Sequence, residues 1–201
     1  MKKQILVIHG GETFENYEDF LKFLREHPLE LEDLKKGAGW KDNLQEDLGS
    51  NYEVLKPEMP NGWNAHYVEW AIWLEKIAPL LNPNVSLVGH SMGGNFLVKY
   101  LAENKFPKEI ESLHLVAAPF DAEGSDFSMG DFALPSSLNL VPQQVGQIFI
   151  YQSTDDALVP PANADKYKKV FPDATLRTFD DREHFSQERF PEIVEDIKKI
   201  S

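Results

Sequence analysis

The chain has 201 residues and a formal net charge of −13, from 20 lysines and arginines against 33 aspartates and glutamates. This length suits a single domain, since domains typically have roughly 50–250 residues. The acidic charge makes nucleic acid and anionic membranes unsuitable partners. The absence of cysteine excludes disulfides, thiolate metal sites and a cysteine nucleophile.

The first residues are basic and then apolar. Lys2 and Lys3 precede the apolar residues 5–8, as at the start of a signal peptide, but the apolar run ends at His9 and is too short for one. No stretch approaches the ~20 apolar residues of a membrane span. We therefore expect a cytoplasmic protein without a membrane partner.

Short β-rich segments alternate with helical patterns along the chain. Strands are predicted at residues 4–9, 52–56, 85–89, 112–118, 147–152 and 174–179. Several of these segments are apolar on both faces, which is typical of parallel strands covered by helices on both sides.

Helices are predicted between the strands, at residues 17–26, 162–170 and 191–200. Two more follow from apolar stripes at three- and four-residue spacing: Trp70, Trp73, Leu74, Ile77 and Leu81, then Phe96, Leu97, Tyr100 and Leu101. We interpret the tryptophan stripe as core packing, with a ligand platform as the alternative. The alternation predicts a single α/β domain over residues 1–201, a doubly wound, mainly parallel sheet of about six strands with helices on both faces.

Two segments do not fit this alternation. Residues 28–50 are charged, with some helical periodicity, and residues 120–144 are loop-like. The periodicity of the first segment comes from Leu31, Leu34, Trp40, Leu44 and Leu48. Long connections in compact domains often form lids or pocket walls. Both segments are therefore candidate lid or pocket-wall segments, with plain surface excursions as the alternative.

The motif Gly89-His90-Ser91-Met92-Gly93 lies between a predicted strand and a predicted helix. Gly-x-Ser-x-Gly also occurs by chance in many proteins, but in this context it predicts a nucleophile elbow. The turn is so sharp that side chains at the flanking glycines would collide. The elbow would hold the hydroxyl of Ser91 clear of the sheet as a nucleophile.

A serine nucleophile needs a base, and histidine is the suitable side chain. Of the six histidines in the chain, His184 follows the last predicted strand. Loops at the carboxyl ends of strands gather at one edge of a doubly wound sheet, where Ser91 also lies. We expect His184 to be the base and the side chain of His90 to point away from that of Ser91.

The histidine in turn needs a carboxylate to fix its tautomer. Asp155 and Asp156 follow the strand predicted at residues 147–152, at the same edge of the sheet. Their spacing does not separate the two. The order Ser, Asp, His is that of α/β-hydrolases.

The oxyanion of the reaction needs backbone N–H donors. We expect one from Met92, directly after the nucleophile, and the second from Gly11 in the loop after the first strand, with Glu12 as the alternative. An apolar acyl site is predicted in the second long segment, formed by Phe127, Met129, Phe132 and Leu134.

Taken together, these motifs resemble the small α/β-hydrolases, and more narrowly the compact serine hydrolases of the YdeN and retinoblastoma-binding-protein-nine type. The matching stretches span nearly the whole chain: Val7-Ile8-His9-Gly10, Met59-Pro60-Asn61 with Trp70, the elbow, residues 153–160 and His184-Phe185. The resemblance implies a compact α/β-hydrolase fold. It also implies that the second aspartate, Asp156, is the triad acid.

Two features depart from that family. Glu183 stands where its members usually have glycine before the catalytic histidine, and residues 28–50 lengthen the first connection between strands. The human-type member is named for a partner-binding motif that contains cysteine. This chain has no cysteine, so that interaction is not expected here.

The sequence therefore predicts a carboxylesterase-like serine hydrolase that acts on small-molecule esters, or on thioesters or amides, through an acyl-enzyme. The catalytic residues would be Ser91, Asp156 and His184, and no metal or organic cofactor is required. The alternatives are a non-catalytic interaction or ligand-binding protein that keeps the fold, and a lyase or perhydrolase that uses the same triad.

Overall fold

The computed structural model describes residues 2–31, 39–125 and 127–200. Its six strands form one sheet in the order β2-β1-β3-β4-β5-β6, and every strand pair is parallel. The strands are β1 Lys3–Ile8, β2 Tyr52–Leu55, β3 Val85–His90, β4 Ile110–Val116, β5 Val145–Ser153 and β6 Thr175–Phe179. All six predicted strands are confirmed, each end within two residues.

Helices cover both faces of the sheet because successive strand residues point to opposite sides. In β1, Leu6 and Ile8 join one buried cluster, whereas Ile5 and Val7 join the other. The described helices are α1 Tyr17–Glu26, α2 Trp40–Leu48, α3 Tyr67–Ile77, α4 Met92–Glu103, α5 Val141–Gln144, α6 Ala162–Val170 and α7 Pro191–Lys199. The first cluster includes residues of α3, α4 and α6, and the second includes residues of α2 and α7.

The predicted helices are confirmed, but two differ from expectation in their packing. Helix α1 has the predicted bounds and yet contains no buried residue, so it belongs to neither layer. In the tryptophan stripe Trp70 is fully buried, as the core interpretation requires, whereas Trp73 remains 41% exposed. None of the helices in the described ranges has the length and apolar character needed to cross a membrane.

The segment of residues 28–50 contains a helix. Its sequence shows some helical periodicity, but no helix was predicted there. Leu34 lies outside the described residues. From Trp40 onward the chain forms α2, which buries Trp40, Leu44 and Leu48 in the same cluster as α7.

The order of the strands determines where a ligand can bind. The chain passes from β1 outward to β2 and then returns to form β3 on the other side of β1. In open α/β sheets, ligands bind at such a switch point, outside the carboxyl ends of the strands. The loops after β1 and β3 are therefore the expected walls of a site.

Candidate active site

A cavity of about 690 Å³ lies at this switch point. Its wall includes residues 9–13 after β1, residues 90–92 from the last residue of β3 to the first of α4, and His184 from the loop after β6. Lys41 of α2 and Phe127 and Ser128 of the second long segment also line it. The structure thus brings Ser91 and His184, which are 93 residues apart in sequence, to one cavity.

Ser91 lies on a strained turn between β3 and α4. Its φ of 54° and ψ of −128° are an unusual conformation for a residue with a side chain. A Cβ added to Gly89 would lie 2.4 Å from the Cα of Gly94, and one added to Gly93 would lie 2.4 Å from the carbonyl oxygen of His9. This crowding explains why the motif needs glycine on both sides of the serine.

Asp156 holds the ring of His184. Its Oδ2 lies 2.9 Å from Nδ1 of His184, and its Oδ1 accepts the backbone N–H groups of Leu158 and Val159, each at 2.9 Å. The side chain of Asp156 is fully buried. Because its carboxylate is fixed by its own turn, it can hold the histidine in one tautomer and orientation.

Asp155, the alternative acid, does not contact the ring of His184. Its Oδ1 accepts the hydroxyl of Ser153 and, at 2.9 Å, the backbone N–H of Glu183. Asp155 therefore holds the loop that carries His184, whereas Asp156 holds the imidazole.

Two other histidines line the cavity, and both use their ring nitrogens elsewhere. Nε2 of His9 accepts the backbone N–H of Met59 at 2.8 Å, so Nδ1 carries the proton and donates to the carbonyl of Gly10. Because both ring nitrogens of His9 are hydrogen-bonded to the backbone, His9 is unsuited to be the base for Ser91.

His90 is also committed to other partners. Its Nε2 donates to the carbonyl oxygen of His184 at 2.9 Å, and its Nδ1 lies 3.2 Å from Nζ of Lys41. Burial and the nearby cation of Lys41 lower the pKa of His90 well below its usual value. Among the cavity histidines of the described residues, only His184 keeps a ring nitrogen, Nε2, without a hydrogen-bond partner.

The hydrogen bonds of the loop after β1 distinguish between Gly11 and Glu12 as the second oxyanion donor. The backbone N–H of Glu12 donates to the carbonyl of Gly62 at 2.9 Å and is therefore committed. Within the described residues, the N–H groups of Gly11 and Met92 have no backbone acceptor. This arrangement favours Gly11 over Glu12, because a donor for an oxyanion must be free when the substrate arrives.

The description of one protein family fits this geometry. The model of the family described as serine hydrolase matches residues 34–192. The chain belongs to this serine hydrolase family. No curated protein matches the chain in sequence at a significant level.

Solved structures with the same fold cover nearly all of this serine hydrolase. The ydeN gene product from B. subtilis has a TM-score of 0.73 and 16% identity, over 99% of this chain and 98% of that one. A putative yden-like hydrolase from Pectobacterium atrosepticum has a TM-score of 0.62 and 14% identity, over 99% and 90% of the two chains. An esterase from Exiguobacterium antarcticum has a TM-score of 0.62 and 16% identity, over 98% and 91%. The α/β-hydrolase fold and the resemblance to YdeN-type proteins are thereby confirmed.

The cavity wall of this serine hydrolase differs from the predicted acyl site. Phe127 lies on the wall, but Met129, Phe132 and Leu134 do not. Phe132 is fully buried, with ring centroids 5.3 Å from Trp70 and 5.9 Å from Tyr67. Met129 is also buried in the same core cluster, and Leu134 packs against that cluster. The assignment of these three residues to the cavity was therefore wrong.

Sequence reasoning did not identify several residues of the wall. The apolar ones are Met59, Trp63, Leu158 and Val159, and the charged ones are Glu58 and Lys41. Leu158 and Val159 lie two and three residues after Asp156, in the loop after β5, so their position near the triad acid could have indicated a place on the wall. The periodicity of residues 40–48 predicted buried positions but gave no sign that Lys41 reaches the cavity.

The structure shows the backbone conformation that Glu183 adopts before His184. This residue has a φ of 47°, in the left-handed region that glycine adopts without strain. A glycine, which the resemblance to YdeN-type proteins leads us to expect here, would therefore adopt this backbone conformation without strain. In this serine hydrolase, the hydrogen bond from the backbone N–H of Glu183 to Asp155 helps to hold that conformation.

Proposed function

We propose that this serine hydrolase cleaves small carboxylic esters, and thioesters or amides of similar size, through an acyl-enzyme on Ser91. The observation that carries the proposal is the hydrogen bond between Asp156 and His184 at the cavity that Ser91 also lines. Nε2 of His184 is the nitrogen left available to take the proton of the serine. We further propose that the hydroxyl of Ser91 donates a hydrogen bond to this nitrogen.

The proposed reaction begins when Oγ of Ser91 attacks the substrate carbonyl and Nε2 of His184 takes its proton. Asp156 keeps the proton of the neutral ring on Nδ1 and stabilises the imidazolium that forms. The N–H groups of Met92 and Gly11 hold the oxyanion, each contributing about 10²–10³ in rate. His184 then protonates the leaving group, and water releases the acid from the ester on Ser91.

The cavity wall supports a substrate with an apolar acyl group. The wall that includes Ser91 also includes the apolar side chains of Phe127, Met59, Leu158 and Trp63, and a volume of about 690 Å³ admits a small molecule. Similar solved structures named as esterases support an ester as substrate more than a peptide. The charged residues of the wall are the carboxylates Glu12 and Glu58 and the amine of Lys41.

Pre-steady-state kinetics with p-nitrophenyl butyrate test this proposal. A burst of about one equivalent of p-nitrophenolate per enzyme would report an acyl-enzyme, and mass spectrometry would place the added butyryl group on the peptide that contains Ser91. Ser91→Ala should abolish both signals. Ser137→Ala, at an exposed serine that does not line the cavity, should retain them. A butyryl group on another residue would refute the proposal.

A further inference from the structure

We propose that Lys41 and His90 are positioning residues, which together hold the backbone of His184 at the cavity. The inference rests on the proposed role of His184 as the base. It assigns a catalytic purpose to helix α2, which lies in the segment of residues 28–50 that departs from the family pattern.

The loop that carries His184 requires an external restraint. Glu183 and Phe185, on either side of the histidine, have φ values of 47° and 55°. Residues with side chains rarely adopt this left-handed conformation, and it persists only where the surrounding structure holds it. The position of His184 therefore depends on what its loop contacts.

His90 supplies one restraint from inside the elbow. A carbonyl oxygen only accepts hydrogen bonds, so Nε2 of His90 must carry a proton to bond the carbonyl of His184 at 2.9 Å. In a neutral ring the other nitrogen, Nδ1, is then an acceptor. Nζ of Lys41, 3.2 Å away, donates to it. Lys41 thus selects the tautomer of His90 that binds the loop.

The surroundings keep His90 in its neutral form. Its ring is buried, and it faces Lys41 from α2, the ring of His184 at 4.9 Å, and His9 at the end of β1. Burial and the cation of Lys41 oppose a second proton on His90, which lowers its pKa. A neutral ring with one donor and one acceptor matches its two partners.

Helix α2 restrains the same loop at further points. Nε1 of Trp40 donates to the carbonyl of Phe185 at 3.0 Å, and the backbone N–H of Trp40 donates to the carbonyl of Gln187 at 2.9 Å. Lys41 is the next residue of the helix. One helix end therefore fixes both the strained residue after His184 and, through His90, the carbonyl of His184 itself.

Lys41 is placed to act on His90 and not as part of a surface ion pair. Within the described residues no carboxylate lies within ion-pair distance of its Nζ, whereas Lys56 forms such a pair with Asp42 of the same helix at 2.5 Å. Lys56 is absent from the cavity wall. Lys56→Met is therefore a matched control, since it removes a cation that binds α2 without touching His90.

The test combines ester kinetics with ¹⁵N NMR of the histidine rings in the full chain. We expect His90→Leu to lower kcat by about 10²-fold with little change in KM, because a displacement of about 1 Å at the reacting groups has that effect. His90→Gln, whose amide can both donate and accept, should recover most of the rate. Lys41→Met should lower kcat by about tenfold and convert His90 from the Nε2–H tautomer to a mixture. Lys56→Met should match the wild type.

Three results would overturn the inference. They are a folded His90→Leu variant with the kcat of the wild type, a wild-type His90 protonated on Nδ1, and a Lys41→Met variant that raises KM while kcat is unchanged. The last result would show that Lys41 binds the substrate directly. If His90→Leu does not fold, the kcat of Lys41→Met and the tautomer of His90 in that variant test the inference instead.

The same measurements distinguish a failure of the proposed function from a failure of this inference. A wild type that hydrolyses no ester would remove both the proposed function and this inference. An active wild type that depends on Ser91, beside a fully active His90→Leu, would overturn the inference alone.

Discussion

Oδ2 of Asp156 lies 2.9 Å from Nδ1 of His184, and the carboxylate that makes this contact is fully buried. Its neighbour Asp155 is exposed and bonds the backbone N–H of Glu183 instead. Two adjacent carboxylates thus contribute to one loop in different ways, one at the ring and one at the backbone. Their substitution should separate these contributions.

Asp156→Asn should lower kcat by about 10⁴-fold, because an amide would stabilise the wrong tautomer of His184. Asp155→Asn should have a mild effect, since Oδ1 of the amide still accepts the backbone N–H of Glu183. Steady-state kinetics on one ester compare the two variants directly. A large loss in Asp155→Asn with a mild loss in Asp156→Asn would reassign the acid.

The crowding at the elbow predicts a stability difference among glycines. Gly93→Ala would place a Cβ 2.4 Å from the carbonyl oxygen of His9, so we expect a loss of about 1–3 kcal/mol in the free energy of unfolding. Gly39→Ala is the control, because none of the described residues lies within 4 Å of its added Cβ and its φ is −75°. Urea denaturation measures both variants. Equal stabilities would contradict the close packing of the elbow.

Features that depend on a local sequence pattern could be predicted from the sequence alone. Strand alternation and the bounds of α1 follow from nearby residues, and the Gly-x-Ser-x-Gly motif predicts crowded glycines. The structure agrees with each, although the atoms that crowd Gly93 belong to residues of the distant loop after β1 and the end of that strand. The contacts of His90 were not predictable in this way, because its partners Lys41 and His184 lie 49 and 94 residues away. We expected only that its side chain would point away from that of Ser91.

The assignment of Phe132 failed for a related reason. Its loop-like surroundings suggested a cavity wall, but its neighbours in space are core aromatic rings on α3 and α4. Burial of an aromatic ring against distant helices overrides local composition. Sequence pattern alone therefore did not distinguish Phe127, on the wall, from Phe132, in the core.

This distinction gives a paired prediction for Phe127 and Phe132. Phe127→Ala should lower kcat/KM for p-nitrophenyl hexanoate by about tenfold and for the acetate by less than about threefold, because lost apolar contact penalises the longer chain. Phe132→Ala should instead lower the free energy of unfolding by about 3–5 kcal/mol. Ester kinetics and urea denaturation of both variants test the pair. Unchanged chain-length preference in Phe127→Ala would remove Phe127 from the acyl site.

A buried chain of hydrogen-bonded polar side chains predicts how stability depends on pH. Nδ1 of His114 lies 2.9 Å from the hydroxyl of Tyr151, which donates to Asp196 at 2.9 Å. Burial lowers the pKa of His114 from 6.5 to about 3. Below about pH 6.5 the unfolded chain therefore binds a proton at this residue that the folded chain does not, and stability falls as the pH decreases toward 3.

His114→Gln removes this titration. Between pH 6 and 4 we expect its free energy of unfolding to fall less steeply than that of the wild type, by up to about 1.4 kcal/mol per pH unit, which is the contribution of one proton. Urea denaturation across this range measures both slopes. Identical slopes would show that His114 does not keep a depressed pKa in the folded protein.

The central claim is that Ser91 is a nucleophile activated by His184, and labelling with a fluorophosphonate probe tests it most directly. The account predicts rapid modification of the wild type, mapped by mass spectrometry to Ser91. It also predicts no labelling of Ser91→Ala and strongly slowed labelling of His184→Ala. A wild type that stays unlabelled, or a Ser91→Ala variant that is labelled at the wild-type rate, would contradict it.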